Sequence, residues 1–253
     1  EWIVPAYDRL VRIAGMGDHG DERAAVVALP AALDRDKARG FAAGGHRVTI
    51  LDRPEAAPPP GMGWLGLDLN DLAATEAKAR TFAGADRVDI LINNAALIIN
   101  KPHEDFSLAE YEDQIRVNSS AAFALTRACA PGMKAQGWGR VINLTSVTLN
   151  GQWEGYVPYV ASKGAMLGLT KGLARELGRH GITVNAIAPG AVVSEAENRV
   201  FADRLAEYNA MVLDRQCVKT RLQAEDVAAL AVFLCSDGAR MITGQNLAID
   251  GGW

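Results

Sequence analysis

The sequence predicts an α/β fold, a doubly wound parallel sheet of about seven strands with helices on both faces. Three observations predict it. Short β-branched or apolar runs recur along the chain, and segments of helical period lie between most of them. The runs also carry little charge, as strands covered on both faces do.

In chain order the strands are expected at "AAVV" from Ala24, "RVTIL" from Arg47, "WLGL" from Trp64, "VDILI" from Val88, "RVINLT" from Arg140, "ITVNAIA" from Ile182 and "NLAID" from Asn246. Helical periodicity is clearest over Leu72–Phe82, Leu108–Met133, Tyr159–Leu177 and Ala224–Leu234. The first unit, Ala24 to Asp52, reads as strand, helix, strand with an acidic residue at its end, the outline of a dinucleotide-binding unit. Arg53–Gly63 is rich in proline and glycine and lies between two strands, so it is expected to be a surface connection replacing the usual helix. Ser194 to Arg221 is mixed and polar, as in a helical flap over a pocket.

With 253 residues, 49% of them hydrophobic, the chain can bury one sizeable core, and a single domain over residues 24–253 is expected. Residues 1–23 match no motif and form an extension of unassigned role; "MGDHGDER" from Met16 reads as an alternative natural start. A net charge of −4 gives no electrostatic footprint for nucleic acid or an anionic membrane, which leaves a small molecule as the expected partner. Cys129, Cys217 and Cys235 are odd in number and far apart, which argues against a disulfide framework or a zinc site and for a reducing cytoplasm; no metal is expected. No apolar run approaches the length of a membrane span.

Tyr159 and Lys163 in "YVASK" are four apart in a segment of helical period, so both side chains rise from one face. An ammonium beside a phenol favours the phenolate and lowers the tyrosine pKa toward a range useful for proton exchange with an alcohol or carbonyl oxygen. Alone, that pair is weak. Ser146 follows "RVINLT", where a hydroxyl at the carboxyl edge of the sheet meets the same oxygen. "INNAA" (Ile92–Ala96) ends another strand in amide and small side chains. Asn118 sits inside a helical stretch that gives an amide no propensity reason to be there.

Together with "NAIAPGAVVS" and a closing "ITGQNLAIDGG", these motifs resemble the short-chain dehydrogenase/reductase family in its short single-domain form, over roughly Ala24 to Trp253. The resemblance implies a Rossmann-like sheet and a catalytic set of Asn118, Ser146, Tyr159 and Lys163. Tyr159 then acts as general acid or base, Ser146 orients the substrate oxygen, Lys163 lowers the tyrosine pKa and holds the nicotinamide ribose, and the Asn118 side chain keeps a water in a proton relay. It places Asp52, Arg53, Asp68, Leu69, Asn94, Ala95, Ala96, Pro189, Gly190, Val192 and Ser194 against the cofactor, with Ile187 near the nicotinamide. Ser146, Val147, Trp153, Tyr156 and Tyr159 are expected to meet the substrate, with Ile98 and parts of Ser194–Met211 as further walls. These walls suit a medium-sized alcohol or carbonyl compound with few charges, and Glu154 is expected to be a solvated loop residue. Ser194 also reads as an ordinary helix N-cap, and Asp68 as a strand-end turn residue.

A carboxylate at Asp52 accepts from ribose hydroxyls and repels a 2′-phosphate, so NAD is expected over NADP, with Arg53 opposing that preference. A homotetramer, or at least a dimer, is expected, since Leu108–Met133 and Tyr159–Leu177 carry small residues (Ala121, Ala122, Ala124; Ala161, Gly164, Ala165, Gly168) that permit close packing.

One departure is complete. Where the family's turn reads T-G-x-x-x-G-x-G, this chain has Ala28-Leu29-Pro30-Ala31-Ala32-Leu33-Asp34. Leucines add side chains where backbone should meet phosphate, and Pro30 removes an N–H donor, so the literal loop is expected to bind a pyrophosphate poorly. Three readings stay open: a rebuilt cofactor loop, a fold that lost nucleotide binding and serves as a silent binding or scaffold subunit, or a local frameshift in the sequence. A hydrolase using Ser146 lacks the G-x-S-x-G turn.

Overall fold

A computed structural model describes residues 24–28, 47–53, 63–194, 197 and 201–253. The turn expected at Ala28–Asp34 lies, past Ala28, outside the described residues, as do the extension 1–23 and the proline-rich connection 54–62.

All seven expected strands are present: β1 Ala24–Ala28, β2 Arg47–Asp52, β3 Gly63–Gly66, β4 Ile90–Asn93, β5 Gly139–Leu144, β6 Ile182–Pro189 and β7 Asn246–Ile249. They form one parallel sheet in the order β3-β2-β1-β4-β5-β6-β7. The order reverses between β1 and β4, and ligands of such sheets lie in the crevice beyond the strand carboxyl ends at that point.

Interior position explains why these strands were readable. All six residues of β5 and all eight of β6 are buried, so apolar residues fall on both faces, with Arg140, Asn143, Thr183 and Asn185 buried among them. The pleat still divides them. Ile50, Ile92, Ile142 and Leu144 pack on one face against helix α6 (Ala224–Cys235) through Val227, Ala231 and Leu234. Leu51, Leu91, Val141 and Val184 turn to the other face, against α1 (Leu72–Ala85), α3 (Ala121–Gln136) and α4 (Val157–Leu177).

Local chemistry sets the helix boundaries. Asp71 caps α1 by accepting from the Ala74 N–H at 2.9 Å. Ser107 and Glu110 form a reciprocal capping box at the start of α2 (Leu108–Ile115). Lys101 and Ser107 together hold the exposed Glu110 carboxyl down to about 2.

The single helix expected over Leu108–Met133 is not one helix. A π-helical turn over Arg116–Ser120 separates α2 from α3, and it carries Asn118. Such turns occur where an extra residue is accommodated in the backbone ladder, often at functional sites. The flap, expected to be helical, contains the regular helix α5 (Leu205–Arg215). Among the described residues, no helix is long and apolar enough to cross a membrane.

Candidate functional site

The predicted site residues gather beyond the carboxyl ends of β2, β4, β5 and β6. Asn118 is the hub. Its Oδ1 accepts from the Leu97 N–H at 2.6 Å and its Nδ2 donates to the Leu97 carbonyl at 2.9 Å, so one amide satisfies both polar groups of a buried peptide. The second Nδ2 hydrogen goes to Ser162 Oγ at 2.9 Å, and Ser162 Oγ donates to the Tyr159 carbonyl at 2.6 Å. These bonds tie the π turn to the segment after β4 and to the first turns of α4. They also engage both amide hydrogens, which leaves only an Oδ1 lone pair for the water that the resemblance assigns to this side chain.

Pro158 opens α4, where a missing N–H costs nothing, and Tyr159 and Lys163 share one face of that helix as expected. The Lys163 Nζ lies 5.4 Å from the Tyr159 ring centroid. It donates to the Leu144 carbonyl, at the end of β5, at 2.6 Å. Lys163 is 1% exposed, and burial pulls its ammonium from 10.5 down to about 7. Tyr159 is 3% exposed, with the Tyr156 ring edge-on at 6.2 Å. The Tyr159 side chain is therefore not on an open surface.

Ser146 lies two residues beyond Leu144 and is buried; its Oγ accepts from the Thr148 N–H at 3.1 Å and caps the short 3₁₀ turn Val147–Asn150. Strand pairing, the π turn and one helix thus connect Asn118, Tyr159, Lys163 and the strand end that leads to Ser146.

On the cofactor side, Asp52 is buried at the end of β2 and its Oδ1 accepts from the Arg53 N–H at 2.7 Å, while Arg53 is exposed. Asp68 is exposed and behaves as a turn residue, its Oδ1 accepting from the Asn70 N–H; Leu69 beside it is half-buried. Asn94 is 1% exposed, yet among the described residues neither its Oδ1 nor its Nδ2 has a hydrogen-bond partner. An orphaned amide is costly to bury. Just past β4, beside the point where the strand order reverses, it fits a ligand that supplies both a donor and an acceptor, and the small residues Ala95 and Ala96 follow it. After Pro189, a Cβ on Gly190 would meet the Asp250 Cα at 2.8 Å, so only glycine fits there. Val192 is buried and bridges to Leu222. Ser194 accepts from the Glu197 N–H at 3.1 Å, as an N-cap does.

The substrate side is aromatic. Trp153 lies 6.4 Å from Tyr208 and stacks on Trp253 at 5.2 Å, and Phe201 stacks on Tyr208 at 3.8 Å. Val147 is buried and Ile98 half-buried, and Glu154 is exposed as expected. Sequence reading missed Trp253 and the Glu197–Arg221 ion pair, whose side chains are 7% and 12% exposed. No local pattern marks either, because each partner lies far along the chain.

A Rossmann-like sheet with these groups at its carboxyl edge defines an oxidoreductase acting on CH–OH groups with a nicotinamide dinucleotide. The comparisons assign it. Residues 35–253 match the family model described as enoyl-(acyl carrier protein) reductase, and the chain belongs to the short-chain dehydrogenase/reductase family. It is 35% identical over 224 residues to a D-xylose 1-dehydrogenase of Caulobacter vibrioides, covering 85% of this chain and 88% of that one. It is 34% identical over 232 residues to a D-beta-hydroxybutyrate dehydrogenase of Rhizobium meliloti, covering 86% and 82%. A solved structure of a provisional NAD(P)-dependent gluconate 5-dehydrogenase from Beutenbergia cavernae, with NADP at low occupancy, superposes with a TM-score of 0.79 at 33% identity, over 90% of this chain and 96% of that one.

Proposed function

We propose that this chain interconverts a secondary alcohol and a ketone or aldehyde by hydride transfer, with Tyr159 as the general acid in reduction and the general base in oxidation. The observation that carries the reading is the anchored pair on α4: Tyr159 and Lys163 on one face, the helix start held by Asn118 through Ser162, and Lys163 fixed to the end of β5. The nicotinamide dinucleotide, when bound, accepts or donates the hydride.

The chain's own residues do the rest. Tyr159 gives its proton to, or takes one from, the substrate oxygen. Lys163 in its ammonium form stabilises the phenolate and meets the ribose; Ser146 donates to the same substrate oxygen and orients it. Pro189, Gly190, Val192 and Ser194 face the nicotinamide end. Asp52, Arg53, Asp68, Leu69, Asn94, Ala95 and Ala96 meet the remainder of the dinucleotide, while Val147, Trp153 and Tyr156 meet the substrate.

The expected preference for NAD finds no support in the comparisons, because two of the solved relatives carry NADP. The buried Asp52 carboxylate opposes a 2′-phosphate and the exposed Arg53 favours it, so these two neighbours set the ratio in this reading. We also infer action as one domain over 24–253 in the cytoplasm, and assembly into a homotetramer. The assembly surface differs from the expected one: Ala121, Ala122 and Ala124 are buried in the chain's own core, whereas Gly164, Ala165 and Gly168 on α4 and Phe123 on α3 are exposed.

Tyr159→Phe tests the reading. It should lower turnover by roughly 10²- to 10⁴-fold, the worth of a positioned acid or base, while the Kd for NADH or NADPH and the unfolding midpoint hold. A variant retaining most of the wild-type rate would remove Tyr159 from the proton transfer.

A further inference from the structure

We propose that Trp153, Tyr208 and Trp253 form an aromatic platform that receives the uncharged ring of a cyclic sugar and so determines substrate choice. The proposal rests on the alcohol-oxidising reading of Tyr159 and names its substrate class.

The rings run outward from the reactive tyrosine. Tyr156 meets Tyr159 edge-on at 6.2 Å, and Trp153 lies three residues before Tyr156 in the same loop. Trp153 is tilted against Tyr208, and Trp253 is stacked on Trp153 with 17° between planes. Trp153, Tyr208 and Trp253 are each only partly buried, so the assembly keeps accessible surface.

The platform is built and held. Trp253 Nε1 donates to Gln152 Oε1 at 2.8 Å. The segment after β7 is stitched to the end of the flap, with the Cys217 N–H donating to the Gly252 carbonyl at 3.1 Å and the Val218 N–H to the Gly251 carbonyl at 2.8 Å. Glycine is required at 252, where φ is +77° and a Cβ would meet the Cys217 Cβ at 3.0 Å. On the far side, Glu197 and Arg221 brace Tyr208, with the guanidinium 5.5 Å from its ring centroid.

The chemistry indicates the ligand. Aromatic faces take the C–H face of a sugar ring, whose hydrogens are polarised by neighbouring hydroxyl groups. Trp153 Nε1 is a buried donor with no hydrogen-bond partner, and a substrate hydroxyl oxygen completes it. The charges favour a neutral ring over a sugar acid. Arg221 is already neutralised by Glu197, and Arg215, 6.0 Å from the Trp253 ring, is exposed at the outer end.

Calorimetric titration of D-xylose, D-galactose and D-gluconate into the full chain with NADH or NADPH present, so that no turnover occurs, gives the test alongside steady-state rates. Four proteins are compared: wild type, Y159F, W253A and W253F. Wild type should bind at least one ring sugar, and Y159F should lose its turnover. W253A should raise Kd and KM for that sugar roughly tenfold, about 1.4 kcal/mol, with kcat moving less than roughly threefold, and W253F should recover most of the affinity. D-gluconate should bind more weakly, with little response to W253A.

An unaltered KM in W253A, a preference for D-gluconate, or no response of wild type to either ring sugar would overturn the proposal. Binding lost in W253A but no Tyr159-dependent turnover would leave the platform standing and remove the catalytic reading; the reverse pattern would remove the platform alone.

Discussion

The two sides of the site are made differently. Around Asn118 and Lys163, buried side chains bond mostly to backbone: Leu97, Leu144 and the Tyr159 carbonyl are all held by side chains at 2.9 Å or less, directly or through Ser162. Around Trp153, Tyr208 and Trp253, the contacts are mostly ring on ring, and Trp153 Nε1 has no hydrogen-bond partner among the described residues. The first arrangement fixes a few atoms where the strand ends put them. The second offers surface to a molecule of variable outline. In the proposed reading, reaction type is built into the sheet edge and substrate choice into the flap and the segment after β7, in keeping with relatives of this family that are named for different small hydroxy compounds.

The contrast can be broken first at Asn118. Replacing it with alanine strands the Leu97 N–H and carbonyl in a buried position and should cost about 2–6 kcal/mol of stability, at roughly 1–3 kcal/mol for each of the two buried groups left unmet. Chemical denaturation of N118A beside W253A measures it. Equal losses in the two variants would erase the distinction between a rigid side and an adaptable one.

Lys163 sharpens it in a pH-dependent way. Burial lowers its pKa from 10.5 to about 7 in the folded chain. Between those values the unfolded chain binds more protons than the folded one, so stability should rise with pH across the window and the penalty of burying an ammonium should be greatest below it. K163M should flatten that rise in denaturation midpoints taken from neutral to alkaline pH. A slope identical to wild type would mean that the lysine is not carried neutral in the fold.

The smallest expected effect is at Asp52. D52A should weaken NADH relative to NADPH roughly tenfold, the worth of one hydrogen bond to a charged acceptor. Fluorescence titration of both cofactors gives the ratio, and an unchanged ratio moves the discrimination to Arg53.

The two sides also differed in how much of them the sequence revealed. Buried parallel strands leave apolar runs that can be read directly, which is why β5 and β6 were found, and with them the strand ends that precede Ser146 and Gly190. Tyr159 and Lys163 were legible because helical spacing alone places them together. The break at Arg116–Ser120 was not, because Asn118 bonds to Leu97, which is 21 residues earlier in the chain. The flap was read as helical, but its mixed polarity hid the bounds of α5, and the stacking of Trp253 on Trp153 joins residues whose neighbours in sequence carry no shared pattern. Long-range partners that are neither strands nor turns of one helix leave no period to read.

The central claim is hydride transfer to a nicotinamide dinucleotide, made by a chain whose phosphate turn lacks the family's glycines. One measurement addresses it most directly: D-xylose and D-galactose deuterated at each ring CH–OH carbon are incubated with the wild-type chain and NAD⁺ or NADP⁺, and the recovered cofactor is weighed by mass spectrometry, with the peptide Ala24–Arg39 weighed from the same preparation. The account predicts one deuterium on the reduced nicotinamide for each sugar oxidised, from one ring position only. Recovery of the literal Leu29–Pro30 peptide with no deuterium in the cofactor from any position would contradict it.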